Sequence, residues 1–173
     1  MAVSIWLIVF LTPHLATSED PFALLGLVTP YQVQAARDFV VPTPDGGPIR
    51  LADYRGNVVL LNFWATWCLP SKEEMPAMER LYQRFRDRGL VILAISVDAE
   101  GAAVVAPFIK QHKLTYPIGL DPDRTLAAQY AAWALPSSFF VDKAGNLVAL
   151  AAGPREWDSA VTHAVIEFLL RKG

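Results

Sequence analysis

Residues 57–76 read N-V-V-L-L-N-F-W-A-T-W-C-L-P-S-K-E-E-M-P. An apolar, β-prone run passes through a single cysteine into a stretch suited to a helix. Asn57 to Trp64 lacks the alternation of a strand wetted on one side, so it reads as a strand covered on both faces. Leu90 to Val97, L-V-I-L-A-I-S-V, repeats that character after Gly89 closes the intervening helical stretch. Two such strands joined by a helix indicate a parallel sheet. Pro70 suits the first turn of that helix.

Outward from this core, Phe39 to Val41 runs into Pro42, Pro44, Asp45, Gly46 and Gly47, a short strand entering a turn. The domain is expected over residues 37–173, with further helices at Ala102–His112, Arg124–Ala131 and Glu156–Arg171. Pro107 sits inside the first of these. Ser137–Val141 and Leu147–Ala152 flank the turn Asp142-Lys143-Ala144-Gly145-Asn146, as in a β-hairpin. At the other end, Ala2 to Leu11 is uniformly apolar, and Pro13, Ala16 and Ser18 follow. Residues 1–18 therefore read as a secretory signal or an N-terminal membrane anchor, although the run is short of the roughly 20 residues that span a bilayer. Residues 19–36 read as a linker.

Composition narrows the function classes. The chain has 173 residues, 53% hydrophobic and 18% charged, enough apolar material for one sizeable core and too much for a disordered chain. Fifteen Lys and Arg against seventeen Asp and Glu give a net charge of −2, which excludes a broad basic field for nucleic acid. One cysteine excludes an intrachain disulfide, and three histidines distant from it in sequence exclude a Cys/His zinc site. Met75 and Met78 fit a helix stripe rather than a soft-metal site. No metal and no cofactor are expected. His14, His112 and His163 receive no chemical role.

Cys68 falls between a buried strand and a helix N-terminus, where unpaired backbone N–H groups and the helix dipole favour thiolate, the nucleophilic form. The bland alternative is an inert, buried small hydrophobe. Along the following helix, positions 74, 78, 81 and 85 share one face, and Met78, Leu81 and Phe85 make it apolar. Glu74 is thus expected to look inward, whereas Glu73 aligns with Ala77, Arg80 and Arg84 on the wet side. Burial would raise the Glu74 pKa and suit it to proton transfer. Trp64 is expected in the core and Trp67 at the surface.

The stretch Asn62–Pro76 resembles the active site of the TlpA/ResA-like branch of thioredoxin-fold proteins, which reads W-C-x-x-C followed by E-x-P. The resemblance extends to A-R-D-F-V-V-P-T-P-D-G at 36–46, L-A-D-Y-R-G at 51–56 and L-P-S-S-F-F-V-D-K-A-G at 135–145. It implies a thioredoxin-like α/β fold: a central mixed β-sheet flanked by helices on both faces. It also implies extracytoplasmic thiol–disulfide exchange, frequently with a membrane tether. Pro136 matches the family's cis-proline, and Glu74 its active-site glutamate. Trp67, Leu69, Pro70, Leu135 and Pro136 are then the surface expected to meet a substrate.

One departure changes the expected chemistry: Ser71 stands where the family has its second cysteine. That cysteine normally attacks the mixed disulfide formed by the first. A serine hydroxyl can donate a hydrogen bond to a thiolate but cannot form the S–S bond. Three readings follow: a monothiol exchanger resolved by an outside thiol, a non-catalytic binding module, or a Cys-to-Ser trapping variant of a dithiol protein. A peroxidase of the related peroxiredoxin group is disfavoured, because Leu61 and Ala65 stand where its Pro and its Thr or Ser would be. The expected partners are disulfide- or thiol-containing proteins or small thiols, met outside the cytoplasm by a monomer that is periplasmic or anchored to the membrane.

Overall fold

A computed structural model describes residues 20–172. The signal or anchor expected over residues 1–18 lies outside the described residues. Within them, the two apolar runs form adjacent parallel strands, β4 (Val58–Trp64) and β5 (Leu90–Ser96), in register from Val58 opposite Leu90 to Trp64 opposite Ser96. Every residue of β4 is buried, as its lack of polar alternation requires.

β4 and β5 lie in a six-stranded mixed sheet of order β1-β8-β7-β4-β5-β6. β6 (Ile118–Leu120) extends the parallel half. β7 (Ser137–Val141), β8 (Asn146–Ala152) and the short β1 (Gln34–Ala35) form the antiparallel half. A separate hairpin pairs β2 (Val40–Pro42) with β3 (Pro48–Arg50). The helices are α1 (Pro21–Leu24), α2 (Leu69–Phe85), α3 (Ala102–His112), α4 (Thr125–Gln129) and α5 (Ala160–Arg171).

The pleat divides the core. Val58, Leu60 and Trp64 join Met75, Met78, Leu81, Phe85, Val165 and Ile166 in the cluster under α2 and α5. Val59, Leu61 and Phe63 join Val41, Ile49, Leu126 and Tyr130 in the cluster under the β2–β3 hairpin and α4. Alternate residues of one strand thus feed two cores, the period-2 rule applied to a sheet covered on both sides.

The structure corrects two sequence expectations. Of the expected linker 19–36, the described residues 20–36 are not a simple linker: Phe22, Leu25 and Leu27 are buried, and the Phe22 ring meets Phe168 of α5 edge-on at 5.5 Å. Val28 exchanges two 2.9 Å backbone hydrogen bonds with Leu150, and β1 adds an edge strand to β8. These apolar side chains have a place to go, so the segment docks instead of remaining solvated. The final helix begins at Ala160 rather than Glu156, capped by Ser159 Oγ accepting from the Thr162 amide at 3.1 Å. The residues before it form a loop that carries the buried Trp157.

If this docking is part of the fold, Phe22→Ala should lower unfolding free energy by about 3 kcal/mol, the low end for a buried Phe-to-Ala change because the site is peripheral. Urea unfolding of both proteins measures it; a loss of a few tenths would mean that the segment is merely laid on the surface.

Candidate active site

Cys68 is the N-cap residue of α2. Its backbone is extended (φ −86°, ψ 106°), and its carbonyl accepts the first helical bond from the Lys72 amide at 3.1 Å. The thiol is 8% exposed and lies 3.6 Å from the carbonyl oxygen of Leu135. The Leu135–Pro136 peptide is cis, as the resemblance implies. Residues 67 sequence positions apart in the chain therefore meet at the sulfur. The turn before Cys68 is held by Asp98, whose buried carboxylate accepts from the Thr66 amide at 2.9 Å, the Thr66 hydroxyl at 2.7 Å and the Ser96 hydroxyl at 2.7 Å.

Around the thiol the surface is apolar and open. Trp67 is 62% exposed and Leu69 59%, Pro70 is exposed, and Leu135 is half-buried. Trp133, which the sequence reading did not single out, is also exposed, two residues ahead of Leu135. Trp64 is fully buried, as expected.

Ser71 corrects an expectation. Its side chain is fully buried and its Oγ has no hydrogen-bond partner, so it gives no hydrogen bond to Cys68. It belongs to the buried stripe of α2 that continues through Glu74, Met75 and Met78. An unpartnered buried hydroxyl costs about 1–3 kcal/mol, whereas a thiol, a weak donor, loses little in the same place.

Glu74 is 5% exposed while neighbouring Glu73 is exposed, in keeping with the helical spacing. Its Oε1 accepts from Asn62 Nδ2 at 3.1 Å, and its Oε2 accepts from Trp157 Nε1 at 2.8 Å and the Arg155 amide at 3.3 Å. Asn62 Nδ2 also donates to Ser138 Oγ at 3.0 Å, joining β4 to β7. The carboxyl borders a cleft of about 630 Å³ lined also by Leu24, Pro70, Glu73 and Arg155. Burial pushes the Glu74 pKa up from 4.5 to about 7, against the lowering effect of its donors. A group placed there can hold or release a proton near neutral pH.

Sequence reasoning missed Asn62, Ser138, Arg155 and Trp157. Asn62 carried a signal, as the lone polar side chain inside an apolar strand. Arg155 and Trp157 carried none, lying 81 and 83 residues from Glu74. Among the described residues no group of three or more His, Cys, Asp or Glu is placed to hold a metal ion.

A family model for the AhpC/TSA family matches residues 33–150. ResA, a thiol-disulfide oxidoreductase of Bacillus cereus, is 40% identical over 113 residues, 65% of this chain and 65% of that one. ResA of Geobacillus thermodenitrificans is 40% identical over 118 residues, 68% of this chain and 67% of that one. The chain belongs to the AhpC/TSA family, in its ResA-like branch. The match to the first of these relatives thus spans somewhat less than two thirds of its length. Among solved structures, a thiol:disulfide interchange protein of the thioredoxin family from Chlorobium tepidum aligns at TM-score 0.71 and 26% identity, covering 82% of this chain and 99% of that one. The thioredoxin-like fold and the ResA-like branch agree with the sequence reading.

Because the folded-state pKa of Glu74 is raised to about 7, the unfolded chain loses this proton first as pH rises above 4.5. The folded state then binds more protons, and stability falls between those values. The contribution is fully present below pH 4.5 and is lost as pH passes about 7. Relative to Glu74→Gln, the parent protein should lose of order 3 kcal/mol across that window. Parallel stability–pH curves from urea unfolding would show that Glu74 titrates normally.

Proposed function

We propose that the protein is an exported thiol–disulfide exchange protein working with one thiol. The observation that carries this reading is the placement of its sole cysteine at the N-cap of α2, with Sγ 3.6 Å from the carbonyl of Leu135 beside cis-Pro136. The names of its ResA relatives support the exchange chemistry. The apolar run at residues 2–11 supports export, by a cleaved signal or a retained tether. Among the described residues no helix is long and apolar enough to cross a membrane.

In the first step the Cys68 thiolate attacks one sulfur of a partner disulfide. A bond forms between Cys68 Sγ and that sulfur, the partner's S–S bond breaks, and the second partner sulfur leaves as a thiolate. Ser71 cannot attack the adduct, so an external thiol must. That thiol, as thiolate, attacks the partner's sulfur, forms a new disulfide with it and returns Cys68 as thiolate. No net oxidation occurs, and the electrons stay within the exchanging sulfurs. Glu74 supplies or accepts a proton as thiols and thiolates interconvert. Trp67, Leu69, Pro70, Leu135 and Pro136 receive the partner, a disulfide-containing protein or a small disulfide, on a monomer.

Mixed with a small-molecule disulfide and no added thiol, the protein should accumulate a stable one-to-one adduct on Cys68 by intact mass. Adding a thiol should clear it. Ser71→Cys should expel the adduct unaided, leaving an intrachain disulfide, and its reduced form should be at least as stable as the parent because the unpartnered hydroxyl is gone. Turnover of the parent without added thiol would overturn the one-thiol mechanism.

The pH dependence of adduct formation tests Glu74. Glu74→Gln should alter the curve near neutrality while Glu73→Gln leaves it in place, since Glu74 is buried with a raised pKa and Glu73 lies exposed on the wet face. Whole curves are compared rather than single fitted constants. Coincident curves for all three proteins would remove Glu74 from the chemistry.

A further inference from the structure

We propose that Arg155 is a positioning residue for Glu74, acting through the loop that it clamps. The inference rests on the reading of Glu74 as a site residue. Its basis is the way the guanidinium is used: every hydrogen bond it makes goes to a main-chain carbonyl. Nε donates to Leu25 O at 2.9 Å and Nη2 to Gly26 O at 3.0 Å. Nη1 is shared among Ala152 O at 3.1 Å, Gly153 O at 3.2 Å and Pro154 O at 2.9 Å. Among the described residues it has no carboxylate partner within ion-pair distance.

Those five carbonyls come from two stretches about 130 residues apart in sequence: the turn after α1, and the last residue of β8 with the loop that follows it. Gly26 (φ +66°) and Gly153 (φ +84°) both adopt the left-handed conformation that favours glycine. A rigid planar fork suits this arrangement, because its donors are fixed relative to one another. The clamped loop is the one that holds Glu74. The Arg155 amide reaches Oε2, and two residues on the Trp157 indole does the same. One side chain thereby ties the docked N-terminal segment to the two donors on a buried carboxyl, which no ordinary surface arginine does.

The charged and titratable groups around Glu74 come from three elements: Glu73 from α2, Arg155 and Glu156 from the β8–α5 loop, and Tyr116 from the stretch before β6. The N-terminal segment and α5 add only the uncharged Leu24, Leu25 and Val161 to the cleft. Arg155 is thus the single cation among them.

The test titrates Glu74 directly, by carbon-13 NMR of glutamate-labelled protein, with its signal assigned by loss in Glu74→Gln. The Trp157 indole N–H resonance is followed in parallel. Arg155→Met removes fork and charge; Arg155→Lys keeps the charge without the fork. If the clamp positions the donors, both variants should raise the Glu74 midpoint by about half a pH unit or more and displace the indole resonance. A parent-like midpoint in Arg155→Met would show no role. A parent-like midpoint and indole resonance in Arg155→Lys would show that Arg155 acts only as a charge. Either result overturns the proposal, and Arg155→Lys carries the test if Arg155→Met does not fold. Failure of the one-thiol mechanism would appear in the adduct experiment, whereas this midpoint is read without any exchange reaction.

Discussion

β4 is buried along its whole length, yet it contains Asn62. A buried amide N–H group without partners costs several kcal/mol, and much of the site follows from the demand of the Asn62 nitrogen, although its Oδ1 stays unpaired. Asn62 Nδ2 takes Ser138 from β7 and Glu74 from α2. Glu74, now buried as well, needs donors of its own and takes them from the loop after β8, through Trp157 and Arg155. That loop is in turn held to the N-terminal segment by the Arg155 side chain. Each partner hides the next polar group, so the requirement passes from the centre of the sheet to the surface. It ends where carbonyls of exposed turns meet a guanidinium.

This chain of requirements explains why two buried polar side chains of α2, one turn apart, differ so much. Glu74 is an ion in waiting and collects three donors. Ser71 is as deeply buried and collects none. The pocket at position 71 is therefore shaped for a side chain that does not require a hydrogen bond. A thiol meets that description, and the family motif places one there. The serine found there leaves its hydroxyl unpaired, and with one cysteine in the sequence no second sulfur stands beside Cys68.

Most of the sheet was legible because its information is local. The runs 57–64 and 90–97 announce two-sided burial, and D-K-A-G-N announces the β7–β8 turn. The inward face of Glu74 was legible from helical spacing, since Met78, Leu81 and Phe85 mark that face. The docking of residues 20–36 was not, because Phe22, Leu25 and Leu27 lie in a short apolar stretch, P-F-A-L-L-G-L-V at 21–28, which is too brief to show a strand or helix periodicity. The Phe168 ring that Phe22 meets lies at the other end of the chain. The Glu74 donors were hidden for the same reason: periodicity places a side chain on a face but does not say which distant loop covers it. Ser71 shows a different limit. The sequence permitted a hydrogen bond to Cys68, and only the direction of the α2 stripe decided against it.

Thiol and carboxyl belong to different packing environments. Cys68 packs with Ala65, Ala132 and Phe139 in the core beneath α4 and the β2–β3 hairpin. Glu74 reaches Trp157 and Asn62 on the side of α2 and α5. The hydrogen-bonded route between the two therefore does not run along α2, although they are six residues apart on it. It crosses β4 at Asn62 and enters β7 at Ser138. From there the chain returns through Ser137 and cis-Pro136 to the Leu135 carbonyl that faces the sulfur. The residue that contacts the thiol and the residue that contacts the amide network are thus three positions apart at the start of one strand. Glu74 and Cys68, set in different cores, are thus tied to one short segment of chain, 135–138.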